Sequence, residues 1–240
     1  MEIFSPLHPR RIIRLKQYIT GLSGLVGYWP LWENDGAVAV NHAPDNLRTL
    51  NGITTGATVA QSGQVGKAYS FDGSDDNVNL GTSSSLDLGT TFTVLLTINP
   101  AVLTGAPVIL GRIDDLGEYS TYWYFAPTGE PHKIQVSAGD GANFPTINSS
   151  STISNGNWFQ LAWTRSTDDH ELFINGSTEG TVSQAINDIN ASSNNVYIGG
   201  DFESDPGDFR FNGLIQHVAI FDKALTAKQI LKLAQIAGLA

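Results

Sequence analysis

Apolar and polar residues alternate along most of the chain, in short runs that end at glycine, proline or asparagine. Residues 92–98 and 133–136 show this period of two, and residues 158–164 repeat it. Such a period places every second side chain on the same face of a β-strand. Asn175 and Gly176 stand between two apolar runs, and Asp72 and Gly73 follow another, which is typical of hairpin turns. The pattern predicts an antiparallel all-β protein with many short strands.

Helical spacing is confined to the two ends of the chain. Thr226 and Gln229 have the spacing of a capping box, and an apolar face with a helical period continues from there to Gly238. Before Gly21, apolar residues likewise recur every three or four positions. We therefore expect a short N-terminal helix and a C-terminal helix over residues 226–237.

The composition agrees with one large domain. The chain has 240 residues, 41% of them hydrophobic and only 15% charged, with 25 glycines and no cysteine. Such a chain can bury one core, and its many turn-forming residues favour a sandwich or barrel over long helices. Disulfides and thiolate chemistry are excluded. No run reaches the roughly 18 apolar residues that span a bilayer, and the first 14 residues lack a signal core, so we expect a soluble, unprocessed chain.

Charge divides the chain into a basic N-terminal segment and an acidic body. Residues 1–16 carry a net charge of +3 and residues 17–240 a net charge of −13, within the total of −10. An acidic body repels polyanions, so we expect no nucleic acid on it. Residues 1–23 are predicted to be an amphipathic arm that packs either on its own domain or on a neighbouring subunit. The candidate arm residues are Arg10, Arg11, Ile12, Arg14, Leu15 and Ile19.

Several motifs in a fixed order carry a resemblance to a known family. They are residues 24–31, 66–78, 84–88, 172–176, 196–200 and 211–226. Over about residues 24–232 the chain resembles the laminin-G-like, concanavalin A-like lectin/glucanase family. The resemblance implies a jelly-roll sandwich of two antiparallel sheets over residues 24–240. That fold hosts lectins, glycosidases, adhesion modules and structural domains, so it does not by itself assign a function.

The resemblance also raises the question of calcium. Many members of the family hold calcium at one edge of the sandwich through acidic residues, where this chain has Asn41, Asp45 and Gln216. Because Ca²⁺ prefers charged oxygen ligands, the replacements weaken that expectation. A separate acidic loop offers Asp201, Asp205 and Asp208 as candidate ligands. Calcium is therefore an open alternative, not an established cofactor.

The adjacent residues Asp75 and Asp76 form another acidic pair. Neighbours in a regular strand face opposite sides, so the two carboxylates cannot readily bind one ion from a strand. We expect both residues to lie in a solvated loop.

The sequence supports no enzyme. Related glucanases require carboxylates that alternate along one strand as nucleophile and general acid. The nearest arrangement is Asp169, His170 and Glu171 at a strand entrance, where solvent-exposed charge is the ordinary explanation. The five histidines show no paired spacing and no catalytic triad is recognisable.

A cluster of aromatic residues is the candidate glycan site. Exposed aromatic rings can stack on sugars, which draws attention to Tyr119, Tyr122, Trp123 and Tyr124. Alternation predicts that Tyr122 and Tyr124 share one face of a strand, with Trp123 on the other face. At most one of these two sets is available to a ligand.

Three functional classes fit these features. The one we favour is a non-enzymatic structural module of an assembled particle, such as a decoration protein on a phage virion, attached through residues 1–21 to other particle subunits. The second is a free, extracellular glycan-binding lectin or adhesin, and the third is a degenerate glycoside hydrolase. The first two are compatible, since a decoration protein can also bind host glycans, and a homo-oligomer fits either.

Overall fold

The computed structural model describes residues 9–44, 50–113, 121–129, 131–187, 189, 194–200 and 210–240. In chain order the elements are α1 (Pro9–Thr20), β1 (Leu25–Trp29), β2 (Val38–Ala39), β3 (Gly52–Thr55), β4 (Thr58–Ser62), β5 (Lys67–Asp72), β6 (Asn77–Asn79), a 3-10 turn (Ser84–Leu86), β7 (Thr91–Val102), β8 (Leu110–Ile113), β9 (Thr121–Pro127), β10 (Lys133–Asp140), β11 (Thr146–Thr152), β12 (Phe159–Ser166), β13 (Asp169–Ile174), β14 (Ser177–Ser183), β15 (Tyr197–Ile198), β16 (Asn212–Phe221) and α2 (Ala227–Ala237).

The strands form two eight-stranded antiparallel sheets. Sheet A has the order β14-β13-β12-β7-β16-β5-β4, with β1 paired to β16. Sheet B has the order β11-β10-β9-β8-β15-β6-β3-β2. Alternating apolar side chains from both sheets meet in one core, which includes Trp29, Trp123 and Trp163. The predicted sandwich of two antiparallel sheets is confirmed.

One of the two predicted hairpin turns is wrong. Asn175 and Gly176 both have positive φ angles and join β13 to β14 within sheet A, as expected. Gly73 also has a positive φ, but β5 belongs to sheet A and β6 to sheet B. The turn after Asp72 therefore carries the chain from one sheet to the other. Turn residues set a local backbone bend, and they do not determine which sheet the next strand joins.

The two helices build a second core on the outer face of sheet A. Leu15 and Ile19 of α1 are fully buried with Ile230 and Leu233 of α2. Beneath them lie outward side chains of four sheet A strands, namely Leu95, Ala162, Phe173 and Ala219. A helix of this length is marginal alone and is stabilised by such packing. The N-terminal helix thus packs on its own domain, one of the two arrangements that the sequence left open.

Local signals explain where α2 begins and ends. The Thr226 side chain accepts a hydrogen bond from the Gln229 backbone N–H, and the Gln229 side chain accepts one from the Thr226 N–H, so the predicted capping box is present. Gly238 ends the helix in the left-handed conformation. The Arg11 guanidinium lies against Gly238, where the partial negative charge of a helix C-terminus favours a cation.

The two outer faces of the sandwich are therefore unequal. Helices cover the outer face of sheet A along β1, β7, β12, β13 and β16. In the described part of the chain, no helix covers the outer face of sheet B. At the β11 edge, the Glu179 carboxylate of sheet A accepts hydrogen bonds from Ser150 Oγ (2.6 Å) and Ser151 N (2.7 Å). This contact fixes the edge strand of sheet B beside the open face.

Candidate functional site

Strand β9 divides its aromatic residues between the core and the open face of sheet B. Trp123 and Phe125 are completely buried in the sandwich core. Tyr122 and Tyr124 point outward and are half-buried. The predicted alternation is thus observed. The proposal of Trp123 as a ligand-binding residue is wrong, because its side chain faces the core, and Tyr119 lies outside the described residues.

Three aromatic rings stand in a row on this face. The ring centroids of Tyr122 and Tyr124 are 5.7 Å apart with an interplanar angle of 18°. On the other side of Tyr122, the ring of Phe144 lies 5.9 Å away at 8°. Such offset, nearly parallel arrangements are favourable for aromatic pairs. We refer to Tyr122, Tyr124 and Phe144 as the aromatic row.

Sequence reasoning missed Phe144, because it reaches the row from the loop between β10 and β11. Phe144 is 38% exposed, which is unusual for a phenylalanine in a packed domain. A phenylalanine between polar residues and Pro145 was the available signal. Its position over β9 depends on the pairing of three strands and could not be inferred locally.

Gly139 makes room for the aromatic row. It pairs with Tyr122 across β9 and β10. A Cβ atom at this position would lie 2.7 Å from Phe144 Cδ1 and 2.8 Å from Tyr122 Cε1. The absence of a side chain therefore allows both rings to pack against the backbone of β10.

Asp140 holds the loop that presents Phe144. Its carboxylate accepts hydrogen bonds from the backbone N–H groups of Ala142 (2.9 Å), Asn143 (2.8 Å) and Asn187 (2.8 Å). Burial alone would raise the pKa of Asp140, but the hydrogen bonds outweigh it and hold the pKa at about 2. The loop is thus fixed by a group that stays ionised at any neutral or mildly acidic pH.

Amide and hydroxyl groups surround the aromatic row. The Tyr124 hydroxyl donates to Gln135 Oε1 (2.9 Å), and Gln135 Nε2 donates to Asn148 Oδ1 (3.0 Å). Beneath the rings, Ser137 Oγ bonds to Thr146 Oγ1 at 2.8 Å. Burial raises the pKa of Tyr124, with a smaller contribution from Tyr122, so its hydroxyl remains protonated. The arrangement offers apolar rings flanked by neutral hydrogen-bonding groups.

Two of the expected calcium ligands, Asn41 and Gln216, lie among the described residues. Asn41 Oδ1 accepts the backbone N–H groups of Tyr28 and Ala43, both at 2.9 Å. Gln216 is fully buried, and neither atom of its amide has a partner among the described residues. Neither residue supplies the charge that Ca²⁺ favours. The remaining candidates, Asp45, Asp201, Asp205 and Asp208, lie outside the described residues.

A different acidic group is closer to the geometry of a metal site. Carboxylate oxygens of Asp72, Asp75 and Asp76 all lie within 4.8 Å of one another, in the turn between β5 and β6. Asp75 is exposed, but Asp76 is 6% exposed and accepts the Asp72 backbone N–H at 2.8 Å. Burial is the main cause of the raised pKa of Asp76. The expectation that both acids lie in a solvated loop is thus wrong for Asp76, whose carboxylate folds back into the turn.

Asp169 and Glu171 occupy the outer face of sheet A, beside the start of α2. They line a shallow cleft with Leu225 and Thr226, while His170 between them is buried. Glu171 Oε1 accepts a hydrogen bond from Thr178 Oγ1 at 2.6 Å. Burial, with a contribution from Arg165, lowers the pKa of His170 to about 4. The two carboxylates therefore lie far from the aromatic row, on the opposite sheet of the sandwich.

The arm residues divide between a buried and an exposed side of α1. Leu15 and Ile19 are buried, and Ile12 packs beside Gly66. The exposed stripe of α1 comprises Arg10, Ile13, Arg14 and Gln17. Neither helix in the described part of the chain is long and apolar enough to cross a membrane.

Comparisons with solved structures bear on the fold. Domain 4 of AbnA, a GH43 extracellular arabinanase from Geobacillus stearothermophilus in complex with arabinotriose, superposes with a TM-score of 0.66 at 22% identity, over 88% of this chain and 98% of that one. The binding domain of Paraclostridial mosquitocidal protein 1 gives 0.68 at 17%, over 92% and 52%. A Trypanosoma rangeli sialidase gives 0.66 at 14%, over 94% and 38%. These likenesses show a shared fold.

A match to a family model identifies the family of this chain. No curated protein sequence matches this chain. The family model described as the concanavalin A-like lectin/glucanases superfamily matches residues 72–231, which is well over half of the chain. This match covers strands of both sheets and residues 227–231 of α2. The chain belongs to the concanavalin A-like lectin/glucanases superfamily.

Proposed function

We propose that this protein is a non-enzymatic glycan-binding module whose ligand contacts the outer face of sheet B. The observation that carries the proposal is the aromatic row with its flanking amides on the face that the helices leave open. Sugars present apolar C–H faces as well as hydroxyl groups. Aromatic rings cover the former, while amides such as Gln135 and Asn148 can donate to and accept from the latter.

One structural neighbour supports the same class of ligand, since it was solved in complex with arabinotriose. Another neighbour is named as the binding domain of a mosquitocidal protein, which agrees with a binding role. Sialidases are also among the neighbours, so the fold alone does not separate binding from catalysis. The separation of Asp169 and Glu171 from the aromatic row favours binding. The groups that we propose to contact the glycan are aromatic rings and neutral amides, so we expect a chelator to leave glycan binding unchanged.

The test is a glycan array followed by affinity measurement for the variant pair Tyr124→Ala and Tyr124→Phe. Tyr124→Ala removes the ring, and we expect at least about a tenfold loss of affinity, equal to about 1.4 kcal/mol. Tyr124→Phe keeps the ring and loses one hydrogen bond, so we expect less than about a fivefold loss. Circular dichroism verifies that both variants are folded.

Equal losses in the two Tyr124 variants would show that the ring is not the contact. Absence of binding to any glycan, with or without calcium, would remove the proposal altogether. A parallel assay for hydrolysis of the bound glycan addresses the enzyme alternative. We expect no product, and product formation that is abolished by Asp169→Asn or Glu171→Gln would contradict the non-enzymatic assignment.

A second role is attachment to a larger particle, such as a virion surface, through the exposed stripe of α1. The observation that favours it is a cationic stripe, with Arg10 and Arg14, on a protein of net charge −10. Because the apolar side of α1 is occupied by its own domain, the contact would use this exposed stripe. Attachment and glycan binding involve opposite sides of the sandwich, so one molecule can perform both.

A further inference from the structure

The open face of sheet B differs from the rest of the molecule in charge. Register and burial identify the outward strand residues, which in β6 and β8 to β11 include Asn79, Gly111, Tyr122, Tyr124, Lys133, Gln135, Ser137, Thr146, Asn148 and Ser150. Along the described strands of this sheet, no acidic residue occupies an outward position. This is notable in a chain with 23 acidic residues. The only charged side chain among these outward positions is Lys133.

Lys133 lies two residues before Gln135 on β10, with the fully buried Ile134 between them. Residues i and i+2 of a strand are about 6.6 Å apart on the same face. Lys133 is half-exposed and therefore lies within reach of a ligand that contacts Gln135 and the aromatic row. Its ammonium group carries three donors and no acceptor.

The hydrogen-bond chain beside the row adds further donors. The Tyr124 hydroxyl donates to Gln135, and Gln135 donates to the Asn148 oxygen. The Asn148 Nδ2 group and the second Nε2 hydrogen of Gln135 have no acceptor among the described residues. Beside the rings, three amide hydrogens are therefore available to an acceptor on the ligand, and no carboxylate at an outward position of the described strands competes for them.

We infer that the bound glycan carries an anionic group, a carboxylate or a sulfate, which is held by Lys133 and the amides of Gln135 and Asn148 while a sugar ring contacts Tyr124. This inference rests on the proposed glycan-binding function and adds the chemical class of the ligand. The acidic body repels anions at long range, and this repulsion is weaker over the outward positions of the described sheet B strands, which carry no acidic residue. The one carboxylate bonded to a residue at these positions is Glu179 of sheet A, which accepts from Ser150 at the β11 edge. Charge-assisted hydrogen bonds then supply local affinity.

The test compares three oligosaccharides with one backbone: the neutral form, the form with uronic acid units and the sulfated form. Affinities are measured for the wild type, for Lys133→Gln and for Lys228→Gln. The last variant removes the same charge from the exposed surface of α2, so the net charge is matched. We expect Lys133→Gln to weaken the carboxylated or sulfated ligand about tenfold or more, and Lys228→Gln to change it less than about twofold. The stronger of the two anionic forms identifies the group.

The outcomes separate the inference from the proposed function. The inference is overturned if all three oligosaccharides bind with equal affinity and Lys133→Gln does not change it. If these affinities still fall in Tyr124→Ala, the glycan-binding function stands. If Lys133→Gln and Lys228→Gln lower the affinity equally, the overall electrostatic field of the protein attracts the ligand and Lys133 makes no specific contact. The inference is then likewise overturned. If the wild type binds no form, both fail. A preference for an anionic form that Lys133→Gln alone removes supports the inference.

Discussion

The buried imidazole of His217 has a hydrogen-bond partner at each ring nitrogen. Nδ1 lies 2.7 Å from the Tyr28 hydroxyl, and Nε2 lies 2.9 Å from the Val65 carbonyl oxygen. A neutral imidazole with its proton on Nε2 can donate to Val65 and accept from Tyr28. Burial lowers the pKa of His217 to about 4, against a smaller opposing effect of the Val65 carbonyl. His217 thus links folding to pH.

We expect this linkage to reduce stability in mild acid. Between about pH 6.5 and pH 4 the unfolded histidine binds a proton and the folded one does not, so protonation favours unfolding. The contribution of His217 is complete above about pH 6.5 and falls by about 3 kcal/mol as the pH drops to about 4. We therefore expect urea unfolding at several pH values to show that the unfolding free energy falls less steeply with decreasing pH in His217→Gln than in the wild type.

The variant Tyr28→Phe provides the control for this measurement, since it removes the hydrogen bond at Nδ1 and keeps the His217 imidazole. Tyr28→Phe should retain the steeper loss of unfolding free energy in acid. His217→Gln loses two hydrogen bonds and is expected to be less stable than the wild type at every pH. The test is therefore the slope of the unfolding free energy against pH and not its absolute value. Parallel curves for His217→Gln and the wild type would show that another group causes the acid sensitivity.

At the residue scale, the sequence could predict only what depends on neighbours along the chain. Alternation assigns Tyr122 and Tyr124 to one face and Trp123 to the other, which the burial of each residue bears out. Phe144 and Lys133 join the same surface only through the register of β9, β10 and β11. Register depends on how whole strands pair, so local patterns do not contain it.

At the element scale, α1 contributes to stability through one side only. Ile19 is fully buried in the second core, whereas Ile13 on the same helix is 54% exposed. Removing a buried isoleucine side chain leaves a cavity and costs about 3 kcal/mol. A surface substitution away from such packing changes stability by less than about 0.5 kcal/mol.

The matched pair Ile19→Ala and Ile13→Ala measures this difference directly. Both variants make the same chemical change in one helix, so helix propensity cancels between them. We expect urea unfolding to give about 3 kcal/mol of destabilisation for Ile19→Ala and almost none for Ile13→Ala. Equal stabilities would mean that α1 is undocked in solution, in which case its apolar side is available to a neighbouring subunit.

The elements themselves were easier to predict than their partners. The capping box at Thr226 and the spacing of Leu15 and Ile19 define both helices locally. The position of β6 in the opposite sheet from β5 was not predictable, since the Asp72 turn has the same residue types as a hairpin turn. Sheet membership is decided by long-range packing, to which a four-residue turn contributes little.

At the scale of the whole molecule, the layers set the directions in which it can interact. The helix layer, sheet A and sheet B lie in that order, with one core in each of the two interfaces. The order of family motifs predicted the two sheets, but it did not predict which sheet the helices cover. Because the helices pack on sheet A, the aromatic row is accessible on the outer face of sheet B, and the exposed stripe of α1 lies on the opposite side of the molecule.

The exposed stripe of α1 is the basic part of an acidic molecule, so its natural complement is an acidic surface. A second copy of the chain offers such a surface, since residues 17–240 carry a net charge of −13. We expect native mass spectrometry of the wild type to show species larger than a monomer at low ionic strength. These species should diminish in high salt, where charges more than about 3 Å apart are screened.

The variant Arg10→Glu with Arg14→Glu tests whether the stripe makes this contact. Both residues are exposed, so the double variant should keep the wild-type unfolding free energy within about 0.5 kcal/mol. It should nevertheless be monomeric, because two favourable charges at the contact have become repulsive. Lys228→Glu with Lys232→Glu on α2 gives the same change in net charge and should retain the larger species. If the wild type is monomeric at low ionic strength, the stripe does not bind a second copy, and attachment requires an acidic surface on a different protein.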